Sequence, residues 1–301
     1  LTKIKSIARL TGHNASIFAL TQGKEAQHFL SAAGDGWIVE WDVKDPELGK
    51  LIAKAEVQLF SLAHLPELDL VVAGDMNGGV HWLDLEDPTN NKHIAHHQKG
   101  TYAVQVIDNE LITLGGNGVL TKWSIAERRT LESIQLSHAA LRACAYSAER
   151  SELAIGASDH AIYILDWATW EVKHSIQKAH DNSVFSLAYH PNQQQLLSGG
   201  RDALLKAWNL SDWAENQSIN AHWFTINHII FLCDGKLFAT ASRDKTIKLW
   251  DAETFQLVKV LEGVRDSGHV NSVNRLFWLE EEALMVSCGD DRSIILWQVE
   301  E

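Results

Sequence analysis

The chain has 301 residues, with 26 Lys plus Arg against 39 Asp plus Glu and a formal charge of −13. Its 46% hydrophobic and 22% charged content with only 4 Pro excludes a disordered or collagen-like chain, and its length leaves room for one large closed architecture or two ordinary domains. The acidic balance argues against nucleic acid bound through a basic surface, and no apolar run approaches the ~18 residues a membrane-spanning helix needs, so neither nucleic acid nor a membrane is an expected partner.

The first predicted element is a strand over residues 3–10 (KIKSIARL). No cationic, apolar leader precedes Lys3, and Leu1 is not an initiator Met, which leaves a trimmed N-terminus open. From residue 31 onward one phrase recurs: a small-residue strand, a turn with Asp or Asn, then an apolar strand ending in Trp or Leu. It reads SAAGDGWIVEWD, AGDMNGGVHWLD, TLGGNGVLTKWS, IGASDHAIYILD, SGGRDALLKAWN, TASRDKTIKLWD and SCGDDRSIILWQ. The turn residue falls at Asp35, Asn77, Asn117, Asp159, Asp202, Asp244 and Asp291, and the strand-ending residue sits six further on in every copy. Within the fifth copy, residues 184–189, 195–199, 204–208 and the stretch before Ala221 are β-prone and separated by turn clusters. Seven such copies, evenly spaced and without paired cysteines, favour an all-β chain folded as a closed seven-bladed propeller of four-stranded antiparallel blades over a sandwich. The last copy supplies only three strands, so residues 1–10 are expected to add the outermost strand of blade seven and close the ring. The expected domain is a single propeller over residues 1–301.

A His stands 22 residues before the turn residue at His13, His180, His222 and His269, and 21 before it at His138. His97 precedes Asn117 by 20, and the second copy has Ala55 instead. Four residues before the turn residue stand Ser31, Thr113, Ser198, Thr240 and Ser287, replaced by Ala73 and Ile155 in copies two and four. With these residues in register, and Gly12-His13/Trp41-Asp42 as the fullest signature, the chain resembles the WD-repeat family along its whole length. The resemblance implies a hydrogen-bonded relay within each blade, with full sets at His13–Asp35–Ser31–Trp41, His180–Asp202–Ser198–Trp208, His222–Asp244–Thr240–Trp250 and His269–Asp291–Ser287–Trp297. Copies two and four lack the set, so those blades are expected to be held by packing alone.

Nothing in the chain points to catalysis. The His/Asp/Ser sets are spread one per blade and sit on no GxSxG elbow, so they read as structural and not as hydrolase triads. His93, His96 and His97 form a local cluster without a neighbouring Cys or an HExxH, and read as satisfied or solvated loop histidines; no metal or cofactor is expected. Cys144, Cys233 and Cys288 lack metal or redox spacing and read as apolar thiols of a reducing compartment, which makes a cytoplasmic location the expectation.

A partner is expected where loops gather around the central channel. The resemblance implies that positions five after the His and one before the turn residue face that side, and these include Phe18, Phe60, Tyr102, Phe185, Asn227, Asn274, Met76, Arg201 and Arg243, with Ala143 in the fourth copy. Trp223, directly after His222, and Arg265, in the longest inter-repeat loop (263–268), join the candidate surface. Aromatics and arginines are what interface hot spots are made of, and the arginines suit an acidic or phosphorylated partner. The expected function is a non-enzymatic scaffold that binds a protein or peptide on this top face. Two alternatives stay open: a small-ligand or enzymatic propeller using the channel, and the interaction domain of a longer multidomain protein.

Overall fold

The computed structural model describes residues 3–192 and 194–300. Among them, seven four-stranded antiparallel sheets account for nearly all of the regular structure. Each sheet is a blade whose innermost strand lies at the hub, namely Ile17–Gln22, Leu59–Leu65, Thr101–Ile107, Leu141–Ser147, Val184–Tyr189, Ile226–Leu232 and Val273–Leu279 for blades 1 to 7. Successive inner strands lie against one another, and the seventh lies against the first, so the chain is a closed seven-bladed β-propeller. No helix among the described residues is long and apolar enough to cross a membrane.

The strand sequences follow from where each strand sits. Second strands such as Leu70–Asp75, Leu237–Ser242 and Leu284–Gly289 are buried at every position, so they read as unbroken runs of apolar and small residues without alternation. Outer strands such as Arg129–Gln135 face solvent along most of their length and are correspondingly polar. The turn between second and third strands always carries a left-handed residue, at Gly36, Gly78, Gly118, His160, Ala203, Lys245 and Arg292. Glycine is required at Gly36 and Gly118, where a Cβ would meet the Ala55 carbonyl at 2.0 Å and the Ser137 carbonyl at 1.9 Å.

The core is divided among the seams. Each of seven apolar clusters fills the wedge between two neighbouring blades, as where Ile17, Phe29 and Trp41 of blade 1 meet Leu279, Val286 and Ile294 of blade 7. Closure occurs at that seam. Strand Lys3–Thr11 pairs antiparallel with Ser293–Glu300, from Lys3↔Glu300 to Thr11↔Ser293, and becomes the outermost strand of blade 7. The N-terminal strand thus runs one residue past the expected Leu10, while Leu1 and Thr2 lie outside the described residues. Ile4 and Leu10 are buried, each contributing about 1.5–3 kcal/mol of apolar transfer. Arg9 adds hydrogen bonds to Ser293 Oγ (2.6 Å) and to the carbonyls of Ser267 (2.9 Å) and Gly268 (2.7 Å).

Candidate functional site

The top of the channel is built by one repeated irregularity. In every blade the inner strand slips register near its start, leaving one residue unpaired: Phe18, Phe60, Tyr102, Arg142, Phe185, Asn227 and Asn274. A bulge re-aims the side chain it carries. Here the seven re-aimed side chains line a single concave mouth of ≈ 290 Å³, together with Arg275. The expected Phe18, Phe60, Tyr102, Phe185, Asn227 and Asn274 all meet there. Arg142 takes the place expected for Ala143. The reason is local: Ser137, not His138, occupies the relay position of blade 4, so counting from His138 overshoots by one.

Around the mouth the contacts change character. Phe18 meets Phe60 edge-on at 5.2 Å between ring centroids, and Phe60 stacks on Tyr102 at 5.8 Å. The Arg142 guanidinium lies 3.9 Å from the Tyr102 centroid and 5.3 Å from that of Phe185, with its Nε donating to Ser158 Oγ at 3.0 Å. In blades 6 and 7 the bulge residue instead bonds to the next blade. Asn227 Nδ2 donates to the Val273 carbonyl (2.8 Å), and Asn274 Nδ2 donates to the Ile17 carbonyl (3.0 Å) and Asp290 Oδ1 (2.8 Å). Five blades therefore offer an aromatic–guanidinium arc and two offer fixed amides.

Below the mouth the channel widens to ≈ 570 Å³, lined among others by Gln105, Cys144, His228 and Arg275 and by no carboxylate. Desolvation inside the channel lowers the pKa of the Arg275 guanidinium, although part of its side chain stays open to solvent. The thiols of Cys144 and Cys288 supply no counter-charge, because burial pushes Cys144 up to about 12 and raises Cys288 as well. Burial and the Arg275 charge together hold His228 well below its ordinary value, so it is neutral. Arg275 is thus a cation with no carboxylate beside it among the described residues lining the channel, in a chain of net charge −13.

The other expected surface residues lie elsewhere. Met76, Arg201, Trp223 and Arg243 are exposed, Trp223 at 87%, but none lines the mouth. Arg265 is occupied by its own loop. It sits in a single helical turn, Gly263–Asp266, paired with Asp266 at 3.1 Å and Glu262 at 3.3 Å and bonded to the Val260 carbonyl.

The relay sets form as rigid hydrogen-bonded chains. In blade 5, His180 Nδ1 lies 3.0 Å from the Asp202 carboxylate and Nε2 2.7 Å from Ser198 Oγ, which also accepts from Trp208 Nε1 at 2.8 Å. The sets in blades 1, 6 and 7 match it, with hydroxyl contacts of 2.8, 2.7 and 2.8 Å. Burial alone would raise the Asp244 and Asp291 carboxyls, but bonds from His222 and His269, and from Thr246 and Ser293, hold both well below the usual range. Blade 3 carries a fifth full set with an amide in place of the carboxylate: His97 to Asn117 (3.3 Å) and Thr113 (2.7 Å), with Trp123 donating to Thr113 (2.9 Å).

Blades 2 and 4 correct the expectation that packing alone holds them. Both recruit the third-strand residue four past the turn residue. In blade 4 the Asp159 carboxylate accepts from Tyr163 Oη at 2.6 Å and from Ser137 Oγ, while His138 is exposed. In blade 2 the carboxylate comes from Asp75, two residues before Asn77. Its Oδ1 accepts the amides of Asn77 and Gly79, each at 2.8 Å, and its Oδ2 accepts from His81 Nε2 at 2.8 Å. Burial opposes ionisation of Asp75, but these bonds outweigh it and bring its pKa to about 2. The histidine cluster of the sequence disperses. His97 joins its relay, His96 Nε2 bonds Thr121 Oγ1 at 2.7 Å, and His93 sits on strand Lys92–Ala95 with Nε2 3.5 Å from Asp75 Oδ2. Asp75, His81 and His93 present three metal-capable atoms within 4.8 Å of one another.

Comparison with known proteins places this architecture. A model of the WD domain, G-beta repeat, matches residues 4–42, 170–209, 213–251 and 256–298, more than half of the chain. The chain is 21% identical over 98% of its length to the protein tipD of Dictyostelium discoideum, covering 49% of that protein. It is 24% identical over 88% of its length to the serine-threonine kinase receptor-associated protein of Mus musculus, covering 75% of it, and 30% identical over 38% of its length to the protein HIRA of Dictyostelium discoideum, covering 12%. The chain thus spans about half or less of two of these relatives. The WD40 β-propeller domain of Doa1 superposes on all of this chain and 98% of its own with a TM-score of 0.85 at 18% identity.

Proposed function

The chain belongs to the WD40-repeat family, generally a family of non-enzymatic interaction scaffolds, and we propose that it binds a protein or peptide partner at the channel mouth through an anionic group seated between Arg142 and Arg275. One observation carries this reading: two guanidinium groups converge on an aromatic-walled opening of an otherwise acidic protein, with no carboxylate among the described lining residues and Asp290 bonded to Asn274 beside it. Arg142 is held by Tyr102 and Phe185, so little rotamer entropy is lost when it meets a carboxylate or phosphate. Phe18 and Phe60 offer apolar contact beside it, the combination from which hot spots are built. That one relative is named for association with a kinase receptor agrees with a protein partner.

The test is capture of partners by the immobilised chain, followed by binding measurements on the protein recovered. Arg142→Ala and Arg275→Met should each weaken binding about tenfold or more, and added salt should weaken it further in the wild type than in either variant. Carboxylate and phosphopeptide versions of the recovered segment separate the two anions. Binding indifferent to both arginines would move the partner off the mouth. A second reading, a small anionic ligand in the channel itself, rests on Arg275 and the ≈ 570 Å³ below the mouth. A nucleophilic enzyme is disfavoured there, because the Cys144 thiol donates to Gln105 Oε1 (2.9 Å) and not to a base.

A further inference from the structure

We propose that Asp75, His81 and His93 form a divalent transition-metal site, of the kind zinc fills, that clamps three strands of blade 2. The donors come from successive strands: Asp75 ends Leu70–Asp75, His81 lies in Gly79–Asp84, and His93 in Lys92–Ala95. His81 and His93 are direct cross-strand partners with ring centroids 4.5 Å apart. Both Nε2 atoms converge on the same carboxylate oxygen, Asp75 Oδ2, at 2.8 and 3.5 Å.

Tetrahedral ligands about 2.0–2.1 Å from zinc stand roughly 3.3 Å apart. The Asp75–His93 separation, 3.5 Å, is within about 0.2 Å of that value. The Asp75–His81 contact is a hydrogen bond that lengthens by about half an ångström once the Nε2 proton moves to Nδ1 and the nitrogen lone pair turns to the metal. The carboxylate is aimed beforehand: Oδ1 is taken by the Asn77 and Gly79 amides, which leaves Oδ2 for the metal.

Gly79 supplies an independent observation. A Cβ there would stand 2.3 Å from Asp75 Oδ2 and 2.3 Å from His93 Nε2, filling the space where the ion belongs. The same place, two residues after the turn residue, is Trp37, Val119, Ala161, Leu204, Thr246 and Ser293 in the other blades. Blade 2 alone keeps it open. His93 is 52% exposed on its side chain, which gives the ion a path in and leaves the fourth position to water. Two imidazoles and one carboxylate suit zinc and its neighbours and not magnesium or calcium, which want all-oxygen cages.

The experiment titrates zinc alone into the chelator-stripped chain, with cobalt(II) as a spectroscopic stand-in. The wild type should bind one equivalent and give the visible bands of a tetrahedral cobalt site. Its melting temperature should rise by roughly 5 °C when free zinc stands about 100-fold above the Kd. His93→Ala removes an exposed ligand, and His81→Gln keeps a hydrogen-bond donor for Asp75, so both fold. Each should weaken zinc binding by roughly 10- to 100-fold or more and abolish the cobalt bands, while His138→Ala, an exposed histidine elsewhere, leaves both unchanged. Magnesium should produce no shift. Zinc that fails to bind the wild type, or that binds His93→Ala and His81→Gln as well as the wild type, overturns the proposal.

Discussion

Blades 5 and 7 solve a polar problem one way, and blades 2 and 4 another. In the first pair a loop histidine, a turn aspartate, a strand hydroxyl and an indole share their bonds through one oxygen, Ser198 or Ser287. In the second pair Ala73 or Ile155 stands in the hydroxyl's place and Leu83 or Leu165 in the indole's, so the hub and the group it would serve are absent together. What remains is the turn, whose backbone amides still need a buried acceptor. Asp75 and Asp159 provide it, and His81 and Tyr163, both four residues past the turn residue, donate to the carboxylate that does so. In the blades that lack the hydroxyl and the indole, the part retained is therefore the carboxylate over the turn, whereas blade 3 keeps the hydroxyl and the indole and sets the Asn117 amide in the carboxylate's place.

That conclusion breaks or stands first on Asp75. Replacing it by Ala leaves the Asn77 and Gly79 amides and His81 Nε2 without their acceptor, and should cost on the order of 3–4 kcal/mol in chelator-treated protein by denaturant unfolding. Asn77→Ala, at the position that aligns with the relay aspartates but is exposed, should stay within about 0.5 kcal/mol. Equal costs would return the turn to Asn77.

A smaller effect is expected at the hub. Ser198→Ala orphans His180 Nε2 and Trp208 Nε1 inside blade 5, so a loss of about 2 kcal/mol should appear in the same unfolding measurement. The alanine already standing at Ala73 costs blade 2 no such orphans, since Leu83 asks for no partner. A Ser198→Ala variant as stable as the wild type would mean that the hydroxyl is as dispensable in a complete relay as in a degenerate one.

Architecture was legible because one spacing carried it: a turn residue and a strand end six apart, seven times over, impose seven equal sheets. The closing strand was legible for the same reason, as the piece the last repeat lacked. Where the reading failed, side-chain aim was decided by something the spacing does not encode. Arg142 was missed by one residue because Ser137 does the work expected of His138, and the bulge is counted from the true relay position. Arg275 follows the expected Asn274 and faces the channel because the bulge reverses the alternation there. His81 was hidden in the apolar strand run GVHWL, where a polar residue opposite Ala73 was the available signal. The aromatic half of the mouth could be found from sequence, because Phe18, Phe60, Tyr102 and Phe185 recur at one register.

The finest distinction lies between blade 3 and its carboxylate-bearing neighbours. His97 is buried like the other relay histidines but meets Asn117, which carries no charge to offset desolvation. Burial, with a smaller push from His96, brings its pKa from 6.5 to about 4. The folded state then refuses a proton that the unfolded chain accepts between those values. The stability that neutral His97 contributes is complete above about pH 6.5, falls as pH drops through that window, and is spent near pH 4. Asn117→Asp places a carboxylate against Nδ1, which raises the histidine pKa and narrows the window. Melting temperatures measured from pH 7.5 to 4.5 should therefore coincide for the two proteins at the upper end and separate below pH 6.5, the variant keeping on the order of 1 kcal/mol that the wild type loses. Curves that run parallel across the range would mean that the amide already holds His97 as a carboxylate does, and that charge has no part in the relay.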